Sequence, residues 1–114
     1  MDNKVDIRIP ETRVVDYSPQ VPFFRSLTVV EHTLITNDEL TPDTGIGKSS
    51  LYAPMVGYGA WYRLVADGEH IPTFAGFKKI STSGDWVATL DTINIIAFIY
   101  DGVDYWYSVG QAVE

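Results

Sequence analysis

The chain is predicted to be all-β: a single-domain antiparallel β-sandwich or jelly roll of about eight short strands over residues 26–114, with an extended N-terminal arm over residues 1–25. Three observations carry this. Runs of β-branched and aromatic residues alternate with turn residues roughly every 8 to 12 positions. No segment sustains the apolar period of an amphipathic helix. Aromatic residues make up 13% of the chain, with three Trp and seven Tyr, a supply that suits sheets and contact surfaces.

Taken in order, Lys4–Ile9 alternates charged and aliphatic residues and reads as a half-buried strand ended by Pro10. Thr12–Tyr17 is a second extended piece. Pro19 and Pro22 keep Ser18–Phe23 out of a helix and out of a central strand, so residues 1–25 form an arm or a first strand pair, anchored by Phe23 and Phe24. Ser26–Thr36 is rich in β-branched residues and reads as a strand. Asn37–Lys48, with Pro42, Gly45 and Gly47, reads as the longest polar loop. Leu51–Val56 is a short extended piece and Gly57–Gly59 a corner. Ala60–Ala66 is a strand closed by a turn at Asp67-Gly68, and Ile71–Phe77 is another extended run. Asp85–Leu90 is a strand with a turn near Asp91-Thr92.

Asn94–Val109 is the strongest signal: two β-branched and aromatic runs joined at Asp101-Gly102 in a hairpin with a two- or four-residue loop. Both registers give the same faces, because side chains repeat every two residues. One face carries Ile96, Phe98, Tyr100, Val103, Tyr105, Tyr107 and Val109. The other carries Ile93, Ile95, Ala97, Ile99 and Trp106, with Asp104 and Ser108 near the ends. Neither face is polar, so the hairpin needs cover on both sides, from this chain or from a partner.

Composition removes several functions. There is no cysteine, hence no disulfide, no Cys-based zinc site and no thiol catalysis. Eight Lys and Arg against fifteen Asp and Glu give a net charge of −7, and the basic residues are scattered, which disfavours nucleic acid. Met1–Asp6 lacks the basic-then-apolar pattern of a secretory signal, and no apolar run is long enough to span a membrane.

Motifs for chemistry are weak. Thr44–Ser50 resembles the end of a phosphate-binding loop, but Pro42 stands where the first glycine belongs and Pro54 follows too early for the helix; a surface loop fits better. His32 and His70 are the only histidines, and their spacing shows no metal motif, although Asp67, Glu69 and His70 lie close in sequence. Asp67, Asp85, Asp91, Asp101 and Asp104 sit at turns, where Asp serves its own backbone, so they do not define a glycosidase pair. No catalytic residue, metal or cofactor is expected. The candidate binding residues are aromatic: Trp61, Tyr62, Trp86 and Trp106, with Phe23 and Phe24 in the arm. In Trp61-Tyr62 and in Tyr105-Trp106-Tyr107, neighbouring rings point to opposite faces.

The segments Trp61–Gly68, Pro72–Phe77, Ser83–Trp86, Ile93–Gly102 and Tyr105–Ser108 together resemble small β-rich modules of bacteriophage virion proteins, such as tail-fibre, head-fibre and other capsid-attached proteins. The resemblance covers a little under half the chain, and the last hairpin is its most specific part. It implies a non-enzymatic assembly or host-contact role in the virion, after synthesis in the host cytoplasm. It also implies contacts with other virion proteins and a homo-oligomer, a trimer for a fibre or spike or a pentamer for a vertex. No shaft precedes the module, which favours a vertex, decoration or fibre-base protein over a free-standing fibre. The alternative is a module that binds carbohydrate or a host receptor, such as a surface glycan, through exposed Trp rings.

Overall fold

The computed structural model describes residues 13–23, 28–47 and 53–112. The strand expected at Lys4–Ile9, the Phe24 anchor and Lys48–Ser50 lie outside the described residues. Nine strands and no helix occur among the described residues: β1 (Arg13–Val15), β2 (Gln20–Val21), β3 (Thr28–Thr33), β4 (Glu39–Pro42), β5 (Gly59–Val65), β6 (Thr73–Phe74), β7 (Lys78–Lys79), β8 (Ile93–Tyr100) and β9 (Tyr105–Gln111). They form two sheets, one of six strands in the order β1-β3-β5-β8-β9-β7 and one of three in the order β2-β4-β6.

The all-β expectation therefore holds, and antiparallel pairing holds only in part. β5–β8 and β8–β9 are antiparallel, whereas five of the seven pairings are parallel: β1–β3, β3–β5, β2–β4, β4–β6 and β7–β9. A parallel pair needs a crossover between its strands. In four of the five the crossover passes through a strand of the opposite sheet, as β2 does between β1 and β3 and β4 between β3 and β5; between β7 and β9 the chain passes through β8 of the same sheet. The N-terminal half thus winds from sheet to sheet, as a β-helix does, and the C-terminal hairpin closes the large sheet. β1 and β2 belong to these two sheets, so residues 13–21 are built into the same body as the rest.

Face alternation sets the core. In β5, Ala60, Tyr62 and Leu64 point inward while Trp61 and Arg63 point out. In β8, Asn94, Ile96 and Phe98 are the buried set. They meet Val21, Phe23 and Leu40 from the smaller sheet and its connections, with Phe74, Phe77, Trp86, Tyr105 and Tyr107 packed around them. Phe98 meets Tyr62 edge-on at 5.1 Å and Phe77 at 4.8 Å, while Phe74 stacks on Tyr107 at 3.9 Å. Such ring pairs add to the hydrophobic term roughly 0.5–1.5 kcal/mol each.

Three local expectations are corrected and one strand is added. Residues 37–48 are not all loop, because β4 runs through them between β2 and β6, with Leu40 as its one buried side chain. Residues 53–56 form a bend and turn rather than a strand, with Met55 N–H donating to the Phe23 carbonyl. Lys78–Lys79 forms an edge strand of two lysines, a composition that discourages further pairing. Asp85–Leu90 is not a strand. Instead the buried side chain of Asn94 accepts the Val87 N–H and donates to the Val87 carbonyl, both at 3.0 Å, taking the place of a neighbouring strand. Gln111 completes this clamp by donating to Asn94 Oδ1 and to the Asp85 carbonyl.

Three substitutions test this packing. A Cβ at Gly59 would lie 1.9 Å from the Phe98 carbonyl oxygen, so Gly59→Ala is expected to cost about 2–4 kcal/mol in denaturant unfolding. Gly110→Ala, where a Cβ meets nothing within 4 Å, is expected to stay within about 0.5 kcal/mol of the parent. Asn94→Leu would leave both Val87 backbone groups unpaired and is expected to cost about 2–4 kcal/mol by the same measurement.

Candidate functional site

The large sheet has one face on the core and one outward face. Strand register places the outward side chains in rows: Thr33, Val65 and Ile93; Glu31, Arg63, Ile95 and Gly110; Val29, Trp61, Ala97 and Ser108; Gly59, Ile99, Trp106 and Lys78. Most positions at the centre are apolar. Trp61 is 46% exposed and Ile99 43%, while Ile93, Ile95, Ala97 and Trp106 are half-buried by their neighbours. Cross-strand pairing of large with small residues, Trp61 with Ala97 and Ile99 with Gly59, gives this face relief.

The two outward tryptophans are held differently. Trp61 stands on β5 with its ring open to solvent. Trp106 donates its indole N–H to Asp101 Oδ2 at 2.8 Å, and the Lys78 ammonium sits 5.8 Å from its ring. Asp101 also accepts the Val103 and Asp104 N–H groups, which closes the four-residue loop of the hairpin with Gly102 at φ +98°. These donors, the Asp104 N–H first and the Trp106 indole next, lower the Asp101 carboxyl below its ordinary range. One turn aspartate thus shapes the loop and orients a ring.

The other expected contact residues separate. Tyr62, read as a surface candidate, is 0% exposed and lies in the core, its hydroxyl donating to the Ser18 carbonyl at 2.8 Å. Burial raises its pKa. Phe23 is 1% exposed and belongs to the same core. The reason is strand parity: in β5 only one of Trp61 and Tyr62 can face out. Trp86 packs against the core with its indole N–H buried and without a hydrogen-bond partner among the described residues. Of the six candidates, Trp61 and Trp106 alone are placed on the outward face; Phe24 lies outside the described residues.

A second cluster forms where three successive connections between the sheets stack. Tyr17, between β1 and β2, lies flat on His32 at 3.9 Å and donates to Asp38 Oδ2 at 2.6 Å. Burial, then the Asp38 bond, raises the Tyr17 pKa, while bonds from Thr36 and Tyr17 lower that of Asp38. Asp67 accepts the Glu69 and His70 N–H groups at 2.9 and 2.8 Å and bonds the His70 ring through Nδ1. The His70 N–H groups, backbone first and then ring, draw Asp67 down to about 2, and Asp67 in turn raises His70 above 6.5. The bonds run along the corner of the fold and tie its connections together. Among the described residues no group of three or more His, Asp or Glu is arranged to hold a metal ion, and no helix is long and apolar enough to cross a membrane.

Sequence reading missed three features: the Asn94 clamp, the Asp101–Trp106 bond and the Tyr17–His32–Asp38 stack. The first had a signal, an Asn alone within the apolar run Ile93–Phe98. The Asp101–Trp106 bond depends on the loop geometry of the hairpin, and the Tyr17–His32–Asp38 stack joins residues whose proximity arises only from the winding.

The Asp67–His70 pair yields a pH prediction. Asp67, with its lowered pKa, stabilises the fold above 3.8, and that contribution is lost as pH falls through about 2. His70, with its raised pKa, stabilises the fold below 6.5, and that contribution is lost as pH rises through the raised value. The pair therefore contributes most between about pH 4 and 6.5. In Asp67→Asn the His70 titration, followed by NMR, is expected to fall back toward 6.5; an unchanged midpoint would sink the pairing.

No protein-family model matches the chain, and no curated protein or solved structure matches it either.

Proposed function

We propose that this chain is a non-enzymatic structural protein of a bacteriophage particle, at a capsid vertex, as decoration or at a fibre or spike attachment, acting through protein–protein contacts. The observation that carries this is the outward sheet face, with Trp61 and Ile99 exposed at the centre of an apolar field. An exposed apolar patch rimmed by polar residues is the usual mark of a contact surface, and Trp and Arg are enriched at its energetic centre. The resemblance of the Trp61–Val109 block to virion modules points the same way. In this reading the two sheets stack as a sandwich around the Tyr62–Phe98 core.

A second reading is favoured by one observation, the placement of Trp61 and Trp106 on the same face two strands apart. Indole faces stack on sugar rings, so the same surface serves a host glycan. Tryptophan emission that shifts on adding host polysaccharide, and stays put in Trp61→Ala, would select this reading.

The assembly reading is tested in particles. In density-gradient fractions from cultures producing this protein, the chain is expected to travel with the particle peak, and Trp61→Ser with Ile99→Ser to reduce its incorporation at least about tenfold. A chain found wholly in the soluble fraction would overturn the reading.

A further inference from the structure

We infer that the outward face of the large sheet is self-complementary and that its partner is a second copy of this chain, related by a two-fold axis running along the strands between β5 and β8. The inference rests on the assembly reading and specifies what covers the face.

The first support is shape. Two residues paired across β5 and β8 lie on either side of such an axis at the same height. Face-to-face packing therefore sets each residue over the register partner of its equivalent. Trp61 is paired with Ala97, and Gly59 with Ile99. In the pair of copies each Trp61 ring descends on the Ala97 of the second copy, and each Ile99 on its Gly59. Both large side chains on the axis meet the smallest residues of the facing sheet, and both are the exposed ones, at 46% and 43%. The remaining axial pairs, Val65 with Ile93 and Arg63 with Ile95, put aliphatic surface on aliphatic surface. Arg63 offers its aliphatic stem to Ile95 of the second copy and stands beside Glu31 in the register of its own sheet.

The second support is charge. The chain carries −7 overall, which opposes contact between copies. Glu31 is the single carboxylate among the residues that register places in these four rows, and at the hairpin end Asp101 and Asp104 stand at the rim, bonded to Trp106 and Lys78. The outward side chains of β5 and β8, which flank the axis, include Arg63 and no carboxylate, so the two acidic molecules meet where their shared charge is absent.

The third support is area. Four strands about 4.8 Å apart and four rows about 7 Å apart give a footprint of about 500 Å² per copy, or about 1,000 Å² for the pair. That reaches the size at which a specific interface begins. The expected product is a concentration-dependent dimer.

The test is sedimentation velocity on the full chain over a range of concentration and salt, with circular dichroism confirming that each variant is folded. The wild type is expected to dimerise, and more strongly at 0.5 M than at 0.05 M NaCl, because salt screens the repulsion and leaves the apolar contact. Trp61→Ala is expected to weaken dimerisation at least about tenfold, and Ala97→Trp to abolish it by setting indole against indole. The double variant W61A/A97W exchanges the large and small positions across the axis and is expected to recover most of the affinity. A dimer indifferent to Trp61→Ala, or a double variant no better than Ala97→Trp alone, overturns this inference. So does a trimer or pentamer that survives both single changes; that result leaves the assembly reading intact, since the chain still associates. A chain that stays monomeric throughout also overturns the inference, and the particle fractionation then decides the assembly reading separately.

Discussion

β5 must satisfy two neighbours that run in opposite senses relative to it. β3 lies beside it in parallel and β8 antiparallel, and both ladders extend over nearly the whole strand. The approach of β5 to β8 is so close at one end that Gly59 faces the Phe98 carbonyl with no room for a methyl group. β1 and β3 reach the large sheet by winding, and β8 and β9 by reversing, with the short β7 added in parallel at the far edge. The strand is therefore the seam between two ways of building a sheet. Its period-two pattern, Ala60, Tyr62 and Leu64 inward against Trp61 and Arg63 outward, decides which side becomes core for both halves.

That sidedness explains how the polar residues are used. Inside, every strong donor or acceptor that strand parity sends to the core is matched: the Tyr62 hydroxyl by the Ser18 carbonyl, the Asn94 amide by the Val87 backbone. Trp86 is the exception, an indole placed for its ring rather than its N–H. At the corners, Asp67 and Asp101 accept hydrogen bonds from their own connections, and Asp38 accepts from Thr36 in its own and from Tyr17 in the one before. Among the described residues the outward sheet face around Trp61 gathers apolar side chains on one surface, and it is from this field that the proposed role is drawn.

Much of the fold could be read before any coordinates. The hairpin faces, the opposite directions of Trp61 and Tyr62, and the strand character of residues 28–33 and 60–65 all follow from period-two alternation, which needs no knowledge of neighbours. Strand direction did not follow, because a parallel and an antiparallel neighbour demand the same alternation, and the linking strands β2 and β4 are too short and too polar to advertise themselves. Asp85–Leu90 looked like a strand for the same reason, and only the long reach of the Asn94 side chain shows why it is not one. The contact face was half legible: parity identified which rings face away from the core, but their convergence on one surface depends on β5 and β9 flanking β8. The stack of Tyr17 on His32 was not legible, since it joins residues that meet through a crossover.

The mixed winding also has a kinetic meaning. β8 and β9 close through a short turn, so their contacts cost little chain entropy and form early. The parallel join of β3 to β5 brings Thr28 to Ala60, a separation of 60 − 28 = 32 residues, and it gains nothing until the intervening crossover is laid down. These separations favour growth from the C-terminal hairpin toward the N-terminus, with β5 docking on the hairpin before β3 and β1 are added.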